Sequence, residues 1–162
     1  MTLDVGTKLP AATLHRKGPD GLEAIALADR LAGRKAVIFA VPGAFTPTCD
    51  SAHMPSFVRT IDAFRAKGVD EIICISVNDI HVMDLWGQTT GATDAGITLL
   101  ADGDSTFTKA IGMAFSAPEA GLIDRSKRYA MIVDDGVVTA FNIEASPGVC
   151  DVSAGEALLE LL

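Results

Sequence analysis

Three observations predict an α/β fold with a central mixed β-sheet flanked by helices. Apolar runs of strand length alternate with stretches whose apolar residues recur at helical spacing. One run, Ala36–Val41, is apolar without a break, as expected of a strand covered on both faces. Hairpin signals near both ends of the chain add antiparallel strands, so the sheet is mixed rather than purely parallel.

The elements follow in order. Ala12–Lys17 and Leu22–Leu27 flank Gly18-Pro19-Asp20-Gly21, whose turn chemistry joins them as a hairpin. After Ala36–Val41, the stripe Met54, Phe57, Val58, Ile61 and Phe64 predicts a helix that Gly68 ends. Pro55 sits in its first turn, so the helix either begins near Met54 or is kinked there. Glu71–Val77 is a second central strand, and Asn78 or Asp79 can cap the helix carrying Ile80, Met83 and Trp86. Ile97–Ala101 is a third strand, followed by a short helix near Ser105–Ile111. Tyr129–Val133 and Val137–Ile143 flank Asp134-Asp135-Gly136, a hairpin turn. Ser153-x-x-Glu156 has the pattern of a capping box and predicts an amphipathic helix to Leu162.

Composition excludes several functions. With 162 residues, 49% hydrophobic and 21% charged, residues 1–162 are expected to form one domain with a real core. No apolar run approaches the roughly 20 residues of a membrane span. Thirteen Lys and Arg against 21 Asp and Glu give a net charge of −8, which works against a phosphate-tracking nucleic-acid binder. The opening MTLDVGTKLP lacks the features of a signal or transit peptide, and three cysteines without a CxxC fit a reducing compartment; the cytoplasm is expected.

Chemistry in such sheets gathers at the carboxyl ends of strands. There the chain reads Pro42-Gly43-Ala44-Phe45-Thr46-Pro47-Thr48-Cys49, a loop stiffened by proline that delivers Cys49 at or just before a helix start. The helix dipole and unpaired N–H groups of such a position favour thiolate over thiol. An ordinary thiol is only about 3% ionised at pH 7, so full ionisation gains about 30-fold, or about 2 kcal/mol of barrier. Enzymes supply far more than that, so donors must also stabilise the moving charge, and the Thr46 hydroxyl is placed to be one. A free cysteine is more often a small buried hydrophobe, but this polar, turn-rich setting is unlike a core.

Pro42-x-x-x-Thr46-x-x-Cys49 matches the PxxxTxxC signature of the peroxiredoxins, and VPGAFTPTC resembles their type II, peroxiredoxin-5-like subfamily. The resemblance continues through His53-Met54-Pro55-Ser56-Phe57, Gly68–Asp79, Val82-Met83-x-x-Trp86-Gly87, Arg125–Ala130 and Val133–Val137, nearly the whole chain. It implies a thioredoxin-like fold and a thiol-dependent peroxidase that needs no cofactor. It implies Cys49 as the peroxidatic nucleophile, Thr46 as hydrogen-bond partner of peroxide and sulfur, Arg128 as support for the thiolate, and Pro42 as the shield of the pocket. Without it, Arg128 reads as a surface arginine at a strand start, and Arg125 as its bland neighbour. The resemblance further implies a homodimer recycled by glutaredoxin with glutathione or by thioredoxin.

Cys74 and Cys150 are the candidates for resolving a Cys49 sulfenic acid. Cys74 reads as core, yet plant type II members place a resolving cysteine at the same separation; animal members place theirs near Cys150. A small thiol attacking from outside is the third option. Either internal disulfide requires local unwinding around Cys49. Asp50 is expected to point outward with little effect. His53 reads as packing at the pocket edge or bonding locally, since Cys49-x-x-x-His53 lacks the further ligands of a zinc site. Trp86 reads as core near the active site; Phe45 and Phe115 are candidates for a dimer face. Two alternatives stand beside the peroxidase: a redox-sensing binding protein switched by Cys49 oxidation, and a disulfide oxidoreductase, against which the missing CxxC argues.

Overall fold

The apolar run forms Lys35–Val41 (β3), an interior strand of a seven-stranded sheet in the order β2-β1-β5-β4-β3-β8-β9. The computed structural model describes residues 3–162. β3 runs parallel to β4 (Glu71–Ser76) and antiparallel to β8 (Tyr129–Asp134), with Phe39 opposite Cys74 on one side and Ala130 on the other. β5 (Thr98–Ala101) continues the parallel core, while β1 (Thr13–Gly18), β2 (Gly21–Ala26) and β9 (Val137–Ile143) add the antiparallel flanks.

Alternation along these strands explains why the central ones are wholly apolar. Val37, Phe39, Val41, Ile72 and Cys74 face one core, shared with Phe57, Phe64, Met83 and Trp86. Ile38, Ala40, Ile73, Ile75, Tyr129 and Met131 face the other, with Leu14, Leu27 and Phe107. Each such aromatic or aliphatic side chain contributes on the order of 2 kcal/mol by leaving water. The first core belongs to α2 (Met54–Ala66), α3 (Ile80–Thr89) and α6 (Gly155–Leu159); the second is closed by α1 (Leu27–Leu31) and α5 (Thr106–Ala110).

Pro55 has the effect its position predicts. The α-helix begins at Met54 with the proline in its first turn, and the residues before it, Cys49–His53, wind as a π-helical turn. Proline has no N–H to donate backwards; instead the Met54 N–H reaches the Cys49 carbonyl, five residues back. Asp79 caps α3 by accepting from the His81 and Val82 N–H groups. The Asp135-Gly136 turn takes positive φ at both residues, 49° and 79°, the two-residue geometry that matches strand twist.

Three features were not legible. Short α1, α4 (Ala92–Ala95) and the separate hairpin of β6 (Ala114–Ala117) and β7 (Leu122–Ser126) carry too few residues to show a period. The capping box at Ser153 does not form. Ala154 is the cap residue, Ser153 Oγ donates to Glu144 Oε2 at 2.5 Å, and Glu156 pairs with Arg59, so the helix is only Gly155–Leu159.

Candidate active site

β3 ends at Val41, and the next seven residues form a braced segment leading into the π-helical turn. The Ala44 N–H donates to Asn78 Oδ1 at 3.0 Å, and Ser76 Oγ donates to the same oxygen at 2.6 Å, tying the loop to the end of β4. Arg125 Nη1 donates to the buried Pro42 carbonyl at 3.2 Å. A Cβ at Gly43 would stand 2.5 Å from that Arg125 nitrogen, so any larger residue there would have to displace the guanidinium. Phe45 holds φ at 65°, a left-handed conformation that reverses the chain before Thr46. The Asp50 N–H then donates to the Thr46 carbonyl at 2.9 Å, closing the first helical turn around Cys49.

Within this turn Cys49 Sγ is fully buried, 0% exposed, and meets two partners. Thr46 Oγ1 lies 2.8 Å from it and 2.7 Å from the Gly43 carbonyl. A carbonyl only accepts, so the single hydroxyl proton must be shared between that oxygen and the sulfur. Arg128 Nη2 donates to Sγ at 3.0 Å. The same guanidinium donates from Nε and Nη2 to the Pro147 carbonyl, at 3.1 and 2.9 Å, and from Nη1 to His53 Nδ1 at 2.9 Å. His53 Nε2 in turn donates to the Ser153 carbonyl at 3.0 Å. Burial and the facing Arg128 charge depress His53 to about 3, against the favourable Ser153 bond, so the ring is neutral.

Arg128 is 2% exposed, and no carboxylate pairs with it among the described residues. A buried cation without a counter-charge is costly. Cys49 is the acidic side chain within hydrogen-bond reach of it.

The structure therefore brings Cys49, Thr46 and Arg128 together; buried Pro42 opens the same loop, and its recorded partner is Arg125. Cys74 lies on β4 in the same core as Cys49, fully buried; burial and the neighbouring Cys49 hold its thiol well above the ordinary range, despite Arg128. Cys150 is half-buried on the 144–153 loop, its thiol also raised, chiefly by burial. That loop is pinned to the site, since Thr48 Oγ1 donates to the Gly148 carbonyl at 3.1 Å. All three cysteines are free thiols.

Several expectations need correction. Asp50 is exposed, but it is tethered: its Oδ1 accepts from the indole N–H of buried Trp86 at 2.9 Å. His53 is entirely buried, and its hydrogen bonds run to Ser153 and Arg128, far along the chain rather than local. Arg125 is no bland neighbour, since it holds the Pro42 carbonyl. Asn78, read only as a cap candidate, braces the loop. The Pro147 carbonyl had no signal in the sequence, because a backbone acceptor is chosen by fold and not by residue type. A cavity of about 130 Å³ adjoins Arg128, with Phe115, Ala145 and Pro147 in its wall.

Comparison with known proteins gives a consistent answer. The Redoxin family matches residues 4–159. Peroxiredoxin-2E-2, chloroplastic, of Oryza sativa subsp. japonica is 48% identical, covering 99% of this chain and 73% of its own length. Peroxiredoxin-2C of the same plant is 41% identical, covering 98% and 97%. Among solved structures, reduced Prx3 of Vibrio vulnificus in complex with H2O2 superposes with a TM-score of 0.92 at 45% identity, covering 98% of both chains.

Proposed function

The chain belongs to the redoxin family and, within it, to the type II, peroxiredoxin-5-like peroxiredoxins, and we propose that it reduces hydrogen peroxide and alkyl hydroperoxides through Cys49. It is a thiol peroxidase with a thioredoxin-like fold. The observation that carries the assignment to Cys49 is the buried Arg128 guanidinium aimed at its sulfur, without a carboxylate partner among the described residues.

The thiolate attacks one peroxide oxygen and an S–O bond forms as the O–O bond breaks. Sulfur is oxidised by two electrons to the sulfenic acid, and the departing hydroxide or alkoxide takes a proton to leave as water or alcohol. Charge moves from sulfur to the leaving oxygen during this step. Fixed donors along that path lower the barrier most, and Thr46 Oγ1 and Arg128 are such donors. Of the five guanidinium protons, one on Nη1 has no partner among the described residues, and it serves a peroxide oxygen. Pro42 and Gly43 are buried in the loop that carries Thr46 and Cys49, which supports the reading of Pro42 as the shield of the pocket. Apolar Phe115 and Pro147 beside Arg128 support acceptance of an alkyl tail.

An external thiol resolves the sulfenic acid in this reading. Cys74 sits in the centre of β4, so its attack would require dismantling a central strand pair, and burial keeps it and Cys150 protonated. The electrons come from glutathione with glutaredoxin, or from thioredoxin. Family membership supports a homodimer, and free thiols fit a reducing compartment such as the cytoplasm. The redox-switch alternative finds no feature of its own in the site.

Peroxide consumption is measured for the wild type and Cys49→Ser with each reductant in parallel, followed by a non-reducing peptide map after one equivalent of peroxide. The reading expects turnover lost in Cys49→Ser and no intramolecular disulfide. Turnover surviving in Cys49→Ser overturns the peroxidase assignment; a Cys49–Cys74 or Cys49–Cys150 disulfide overturns external resolution.

A further inference from the structure

We propose that His53 is the positioning residue of the site, fixing the Arg128 guanidinium against Cys49 by accepting one of its protons. The inference deepens the peroxidase reading above and rests on it. Arginine carries a long, flexible side chain, and its catalytic value depends on where its plane is held. Pro147 receives both Nε and Nη2 on a single oxygen, which anchors one edge of the guanidinium but leaves it free to pivot about that oxygen. The bond from Nη1 to His53 Nδ1 at 2.9 Å is the second fixed point, and it stops the pivot with Nη2 directed at Sγ.

His53 can do this because its own geometry is over-determined. It stands four residues after Cys49 at the end of the π-helical turn, so ring and sulfur share one face. The ring packs against Phe39 and Phe57, with centroids 5.0 and 5.7 Å away. Arginine only donates and a carbonyl only accepts, so Nδ1 carries the lone pair and Nε2 the proton given to Ser153. The Ser153 backbone is itself clamped: Glu144 Oε2 accepts from the Ser153 N–H at 2.7 Å and from the Asp151 N–H at 2.8 Å. A continuous chain of bonds thus runs from Glu144 through Ser153 and His53 to Arg128 and the sulfur.

The experiment follows Cys49 itself. Reduced protein is mixed with hydrogen peroxide, quenched at intervals with a sulfenic-acid trap, and the labelled Cys49 peptide is quantified. His53→Leu fills the space without an acceptor, whereas His53→Asn keeps an acceptor oxygen near the Nδ1 position. Oxidation of Cys49 is expected to slow about 10- to 100-fold in His53→Leu, the scale of a misaligned catalytic group. It is expected to return to within about 3-fold of wild type in His53→Asn, which keeps an acceptor for Arg128. In an Arg128→Met background, replacing His53 by either residue should change the rate by less than about 2-fold, because both act through one interaction. Wild-type rates in His53→Leu, equal slowing in His53→Leu and His53→Asn, or additive effects with Arg128→Met would each overturn the positioning role. Should His53→Leu fail to fold, His53→Ala, which also lacks an acceptor, is read against His53→Asn, alone and with Arg128→Met, by the same criteria. Failure of wild-type Cys49 to be oxidised at all is a different result: it overturns the peroxidase reading, and this inference with it.

Discussion

Lowering the pH from 7 to 5 should weaken the fold through one buried ring. His53 ordinarily titrates near 6.5, and in the folded protein it is depressed to about 3 by burial and by Arg128. The charged and ionisable groups facing it are Arg128 and Cys49; Phe39, Phe57 and the Ser153 carbonyl complete its surroundings. Below the ordinary value the unfolded chain binds a proton that the folded chain refuses. Stability is therefore whole above about pH 6.5 and falls as the pH drops, levelling off below the folded value. Each pH unit in that window costs about 1.4 kcal/mol, so the loss between pH 7 and pH 5 is about 2 kcal/mol. Urea denaturation at the two pH values, on wild type and His53→Leu, isolates this contribution because the remaining groups are common to both. Wild type should lose about 2 kcal/mol more than the variant. Equal losses would refute the neutral, bridging imidazole, and with it the tautomer on which the Arg128 contact depends.

Thr46→Val replaces the hydroxyl 2.8 Å from Sγ with a methyl group, and should slow peroxide reduction about 100-fold while Thr46→Ser stays near wild type, in stopped-flow measurements. Asp50→Ala strands the buried Trp86 indole N–H and should cost about 1–3 kcal/mol in urea denaturation followed by Trp86 fluorescence; Asp50→Asn keeps the acceptor and should cost little. Gly155→Ala pushes a methyl group to 2.5 Å from the Ser56 carbonyl oxygen, where α6 meets α2, and should destabilise by about 1–3 kcal/mol in the same assay.

The central layer of the fold was legible because its sequence signals are redundant. Ala36–Val41 could only be a strand buried on both faces, and the stripe from Met54 to Phe64 could only face a core. Asp135-Gly136 specified its own turn. Cys49 and Thr46 were legible because three residues of spacing within a proline-stiffened loop nearly fix their distance. Arg128 was not legible from local chemistry: it immediately precedes β8, 79 residues further along the chain, and reaches the sulfur only because β8 pairs with β3. Resemblance supplied that residue, and geometry explains it. His53, Asn78 and Arg125 were underestimated for the same reason, since each acts on a partner that the sheet brings near. The capping box failed because Ser153 had a stronger acceptor in Glu144, a competition that spacing along a helix does not reveal.

On the proposed function, peroxide oxidises Cys49 and the buried Arg128 drives this step. One equivalent of hydrogen peroxide is added to the reduced protein and to Arg128→Met without any reductant, and the sulfenic acid is trapped and mapped by peptide over time. Fast labelling confined to Cys49 is expected in the wild type, slowed at least about 100-fold in Arg128→Met, the scale lost with a single charge-stabilising donor. Labelling first at Cys74 or Cys150, or at an unchanged rate without Arg128, would contradict it.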